Sequence, residues 1–245
     1  RLEWVRLIRS KRLVALVGVY VFFGLLGPVT ARYIGEILQR FGNEVVVQFP
    51  DPVPPDGIAQ FTSNANQIGL LVAVVVAAGA LVIDAIPEMS IFLRTRVDRI
   101  DRLLVPRLAV SFAAVAAAFV LGMLAAWYET VVLLGSLSVT DLLLGTLLTL
   151  VYMAFVVALV AALGSRLASV LGTVATTVVA LLVLPIFGLV DAVGRWLPSH
   201  LLGALDGLLR GTNGVSEYVP ATVLTLALTA ALVWLATRWA ARREL

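Results

Sequence analysis

Six long stretches without Asp, Glu, Lys or Arg run through this chain, separated by short charged segments: Leu13–Ala31, Gly57–Ile83, Leu108–Tyr128, Leu142–Ser165, Leu167–Val190 and Tyr218–Thr237. Each holds at least about 19 residues, and a helix needs roughly 20 to cross a hydrocarbon core about 30 Å thick. In lipid the backbone of such a segment can satisfy its own polar groups only as a helix. The pattern predicts an all-α integral membrane protein with six transmembrane helices. The spans are expected at approximately residues 13–33, 66–87, 106–128, 142–164, 168–190 and 218–239.

Composition agrees where it bears on this. Only 13% of the residues are charged, about half the share of an ordinary soluble domain. The whole chain, 1–245, reads as one membrane domain with no room for a soluble catalytic domain. Without cysteine there is no disulfide framework, thiolate nucleophile or cysteine metal site. The first apolar run is longer than a signal-peptide core and lacks a clear small-residue cleavage site, so it reads as a retained helix. The chain does not begin with Met, and a few native residues are expected before Arg1.

Arg and Lys set the expected orientation. Of the 18 basic residues, all but Arg32, Arg40, Arg195 and Arg210 fall in the terminal segments or the even-numbered loops. Basic loops stay cytoplasmic, so both termini are expected inside, in a multi-pass protein of the cell membrane. The pI near 9.7 then reflects the anionic inner leaflet and needs no nucleic acid.

The loops carry further signals. The leader RLEWVRLIRSKR mixes Trp4 and four aliphatic residues with five cations, Arg6 and Arg9 among them. It suits an amphipathic helix lying in the membrane interface, or a flexible basic tail that only sets topology. The first outer loop, Arg32–Asn66, carries Pro50, Pro52, Pro54 and Pro55. These are expected to exclude helix and make a stiff, extended connector. In the second inner loop, Glu88–Arg107, the charges of Arg96, Asp98, Arg99 and Arg102 alternate with large apolar residues. Asp98 and Arg102 stand four apart, on one face of a helical turn. That mixture suits docking of a protein partner, whereas the charges alone would suffice for topology. Gly164–Ser169 reads as a tight inner turn. In Asp191–Glu217, Leu201, Leu205 and Leu208 recur at helical spacing, with Asp206 and Arg210 on another face. Short amphipathic helices broken at Pro198, with Trp196 as an interfacial anchor, are expected there.

Taken in order, three of these elements resemble a known family. They are the amphipathic leader, the acidic Glu88 followed by the basic Arg96–Val97–Asp98–Arg99 and Arg107, and a helical hairpin between spans five and six marked by Leu184–Pro185 and Leu197–Pro198–Ser199–His200–Leu201. Together they are similar to a permease subunit of the type 2 ATP-binding-cassette (ABC) transporters, mostly exporters. Relatives usually have Gly–Thr after the acidic residue and Pro before the Val, where this chain has Arg94–Thr95–Arg96–Val97. The resemblance implies a working unit of two permease copies, a homodimer here, and two copies of a cytoplasmic ATPase subunit. It also implies that Glu88, Arg94, Arg96, Asp98, Arg99 and Arg102 couple to that ATPase. ATP and Mg would sit on the ATPase, since no GxxxxGK[ST] occurs in this chain.

Other classes find less support. The single histidine, His200, lies outside every span and no HExxH exists, so no catalytic residue, metal site or bound cofactor is expected. The alternative is a stand-alone secondary transporter or channel driven by an ion gradient, which usually needs ionisable groups near the midplane. Asp84 is the only acid placed for it, near a span end beside Pro87, where solvation or pairing with Arg94 also accounts for it. The main polar cluster inside the spans is Thr173, Thr176 and Thr177, candidates for a substrate pathway. Two rows of small residues at four-residue spacing are expected to let helices approach closely. Ala114, Ala118, Gly122 and Ala126 form one, and Gly164, Ala168, Gly172, Thr176 and Ala180 the other. Each suits packing within one copy or between two.

Overall fold

The computed structural model describes residues 11–41, 51–82, 101–188 and 191–242. Among them every regular element is helical, and 6 helices are long and apolar enough to cross a membrane. The protein is therefore a multi-pass membrane protein by the length and composition of its helices. Span one is α1 (Arg12–Phe41). Span two is α2 (Pro54–Asn64) and α3 (Leu70–Leu81), joined without a break by a π-turn over Ala65–Gly69. Spans three to five are α4 (Asp101–Leu133), α5 (Val139–Leu167) and α6 (Val170–Phe187). A short α7 (Asp191–Gly194), a 3-10 turn (Pro198–Gly203), α8 (Ala204–Leu209) and a second 3-10 turn (Val215–Tyr218) lead into span six, α9 (Val219–Arg242).

Two prolines of the first connector, Pro54 and Pro55, act differently from the sequence-based expectation, while Pro50 lies outside the described residues. Pro54 and Pro55 are the first residues of α2, where the missing N–H would have been unpaired in any case. The Val53 N–H donates to Asp56 Oδ2 at 2.8 Å and fixes that helix start. Of Arg32–Asn66, the described residues 32–41 and 54–66 are helical: α1 continues to Phe41 and span two begins at Pro54. The tight turn is as expected. Ala168 takes a left-handed conformation (φ 52°) and donates its N–H to the Gly164 carbonyl, and the Ser169 Oγ accepts from Gly172 N at 3.2 Å to start α6.

Spans two, three and four form the interior, and span one closes against span three. A Cβ on Gly122 would come within 2.6 Å of the Tyr20 carbonyl oxygen, and one on Gly24 would strike the Gly122 carbonyl. The two backbones therefore touch, which only glycine allows. Ala114, Ala118 and Ala126 complete the buried row, so this small-residue face packs within one copy. Around the crossing, the ring of Phe119 stands 5.9 Å from that of Tyr20, edge to face, and 5.8 Å from that of Phe61. Aromatic contacts of this kind stiffen a core where lipid gives helices no hydrophobic reason to associate. The second row is not one face. Gly164 lies in the last turn of α5 and is buried, the chain reverses at Ala168, and Thr176 on α6 is exposed.

Two ends follow from the contacts. At the capped end, Arg210 before the last span meets Asp56 of α2, and the α8 backbone lies on Gly145 of α5, whose Cβ would meet Leu205 Cα at 2.8 Å. Leu201, Leu205 and Leu208 are buried there as their spacing predicts. At the tight-turn end, Arg12 packs over Gly79 and Val82 over Gly164.

Candidate functional site: a cleft between the second and fifth spans

The π-turn shapes this site. The Leu70 N–H donates to the Ala65 carbonyl five residues back, so one extra residue is accommodated in the turn. Ala65 and Gly69 stay buried, Gly69 against the ring of Tyr20, while Asn66 and Gln67 are left on the accessible side. Such turns often occur at functional sites in helices. Here Asn66 and Gln67 line a cleft of about 370 Å³. Its other walls are apolar: Val74 of span two faces Val178 and Leu182 of span five, with Tyr152 of α5 also lining it. Leu71 and Leu182 line it and are exposed, so the cleft opens sideways between the spans.

Toward the capped end lies a second cavity of about 410 Å³, and Pro185 and Leu202 line both. Arg195, Ser199 and His200 line this second cavity. The His200 ring lies 5.0 Å from that of Tyr218. Glu217, the acid whose charge reaches His200, already accepts hydrogen bonds from Asn213 and from the Gly214 N–H. A third cavity at this end, about 490 Å³, is lined by Arg32, Glu36, Asp51 and Asp56.

The three threonines expected along a pathway are divided. Thr173 and Thr177 are fully buried, and the Thr177 hydroxyl donates to the Thr173 carbonyl at 2.7 Å. Thr176 is exposed on another face of α6. None of the three lines the cleft. Asn66 and Gln67 were missed because they stand at the edge of the expected first connector. The polar run Thr62–Ser63–Asn64 with Asn66 and Gln67, inside a stretch without charge, was the signal. Trp4, Arg6, Arg9, Glu88, Arg94, Arg96, Asp98 and Arg99 lie outside the described residues, as does Asp84. Arg102 sits in the first turn of α4. Arg107, one turn further, is buried and engaged at the tight-turn end. Trp196 is exposed at the capped end.

No protein-family model, curated protein or solved structure matches this chain.

Proposed function

We propose that this chain is the transmembrane permease subunit of a type 2 ABC transporter, working as an exporter with ATP hydrolysed by a separate cytoplasmic subunit. The observation that carries the reading is the cleft between spans two and five. It is apolar within, open sideways between the spans, and shares Pro185 and Leu202 with a second, more polar cavity at the capped end. A compound leaving the bilayer interior would meet surfaces of increasing polarity along that route. The order of sequence elements described above supplies the family.

On this reading the tight-turn end is cytoplasmic. Lys11, Arg12, Arg107, Arg166, Arg238 and Arg242 lie toward it, and basic segments resist translocation. Both termini are then inside, and the capped end is outside. The working unit holds two permease copies and two ATPase copies, with ATP and Mg on the latter. Closure of the ATPases would be transmitted through Glu88, Arg94, Arg96, Asp98, Arg99 and Arg102, shifting the population of helix arrangements around the cleft. The test is co-expression with a candidate P-loop ATPase, sought beside it in the genome, followed by purification and transport into inverted vesicles. Co-purification and ATP-dependent uptake are expected. Uptake by the chain alone, driven by a proton or sodium gradient, would overturn the proposal in favour of a secondary transporter.

A further inference from the structure

We infer that the cleft holds one acyl chain of an anionic lipid drawn from the surrounding membrane, with its headgroup on Arg195, Ser199 and His200. This deepens the transport reading, on which any role in export rests; the binding itself requires no ATPase.

The argument is a gradient along two helices that run in opposite directions. Span two descends from the capped end, so Asn66 lies nearer that end than Val74, by about 12 Å at the helical rise. Span five ascends toward it, so Pro185 lies nearer that end than Val178. The deep part, between Val74 and Val178, is therefore hydrocarbon-like. Above it come the amides of Asn66 and Gln67, and beyond Pro185 and Leu202 come a guanidinium, a hydroxyl and an imidazole. An anionic lipid has the same order: chain, ester and glycerol oxygens, phosphate. The amides suit the ester level: Asn66 can donate there, Gln67 Nε2 has a second hydrogen beyond the one it gives Ser63 Oγ at 3.3 Å, and the guanidinium gives a phosphate a charge-assisted, fork-shaped partner.

Two further observations favour this occupant. Leu71 and Leu182, on the cleft wall, are exposed, so the opening faces the hydrocarbon that surrounds the spans and a chain enters without crossing water. The guanidinium at the mouth is also available: the described ion pairs of the capped segment occupy Arg210 rather than Arg195. Glu217, kept anionic by hydrogen bonds from Asn213 and Gly214, acts near His200 and opposes an anion there, so Arg195 carries the attraction. Each cavity falls within the roughly 300–1,000 Å³ usual for ligand sites.

The experiment is native mass spectrometry of the purified full chain in a neutral detergent, titrated separately with lysophosphatidylglycerol, lysophosphatidylcholine and glycerol 3-phosphate. Retention of lysophosphatidylglycerol about tenfold more strongly than lysophosphatidylcholine is expected, the size of one hydrogen-bonded charged contact. Glycerol 3-phosphate, which lacks a chain, should not be retained. Arg195→Gln should abolish the preference between the lysolipids, and Val178→Trp should weaken both by filling the apolar part. Should Val178→Trp fail to fold, a second readout decides. Val178→Cys, placed in this cysteine-free chain, should react more slowly with a neutral maleimide when lysophosphatidylglycerol is present. Equal retention of the two lysolipids, or a preference unchanged in Arg195→Gln, would overturn the inference. So would protection of Val178→Cys that follows protein concentration rather than lipid, because the occupant would then be a second copy. Loss of lipid selectivity leaves the ATPase association intact, and failure of the ATPase to co-purify leaves the lipid result intact, so the two proposals fail separately.

Discussion

Arg210 reaches back 154 positions along the chain and donates from Nη2 to Oδ1 of Asp56 at 2.7 Å. Its Nε donates to Asp206 Oδ1 at the same distance. Asp56 meanwhile accepts the Val53 N–H on its other oxygen. One carboxylate thus fixes the start of span two and ties it to the segment before span six. These hydrogen bonds, Asp206's first, hold the Arg210 guanidinium above its ordinary value. The sign follows: its contribution is complete below the unfolded value, hence throughout the neutral range, and is lost only as alkaline pH passes the raised one.

The first prediction separates the two duties of Asp56. Both partners are about a third exposed, so Arg210→Ala should lower unfolding free energy by no more than about 1 kcal/mol, and less at high salt. Adding Asp56→Ala to Arg210→Ala should cost about 0.5–1.5 kcal/mol more, because with Arg210 gone the change removes the acceptor of the Val53 N–H. Thermal unfolding of the single and double variants in detergent measures both terms. A double variant as stable as Arg210→Ala alone would show that the helix-start bond contributes nothing.

Close approach of spans one and three supplies the second. Gly122→Val must displace the Tyr20 backbone and should destabilise by about 1–3 kcal/mol, as overpacking does. Gly18, on the same helix as Tyr20, has open space where a Cβ would go. Gly18→Ala should therefore be neutral or stabilising, by up to about 1 kcal/mol from helix propensity. Matched unfolding curves compare them, and similar losses at the two positions would contradict the crossing.

What could be read in advance follows from how strongly a residue's surroundings constrain it. Charge in hydrocarbon is so costly that the uncharged runs reveal six spans without any packing information. Four-residue spacing likewise exposes the Ala114, Ala118, Gly122 and Ala126 row, since the period is set by the helix itself. The second row looked the same on paper, but its period runs through Ala168, whose left-handed backbone breaks the face. Pro54 and Pro55 misled because proline forbids helix in the interior yet favours its first turn, and composition does not say which position it holds. Asn66 and Gln67 owe their placement to a π-turn, within which Gly69 lies against Tyr20. That is a tertiary contact, and no local pattern announces it.

Topology gives the third prediction. The chain has no cysteine, so single Ser90→Cys and Ser216→Cys substitutions are clean reporters. Ser216 is exposed at the capped end and should react with an impermeant maleimide on intact cells. Ser90, in the basic loop after span two, should react only after permeabilisation. Labelling of both from outside would contradict six spans with cytoplasmic termini.

The last prediction concerns coupling, and it follows from the transporter reading. No GxxxxGK[ST] occurs in the sequence, so on the transporter reading the purified protein alone should show no ATP hydrolysis. With its ATPase, the complex should have the mass of two copies of each subunit. Arg96→Glu with Arg99→Glu reverses two charges in the loop assigned to docking while leaving the spans untouched. Long-range steering and pairing at such a surface depend on sign, and like charges brought together across an interface cost several kcal/mol. The double variant should therefore keep its unfolding temperature, lose most of the co-purifying ATPase, and lose ATP-driven uptake in proportion. Retained ATPase and normal uptake in a stably folded double variant would remove these residues from the docking surface. A parallel loss of thermal stability would assign them instead to the packing of the membrane domain.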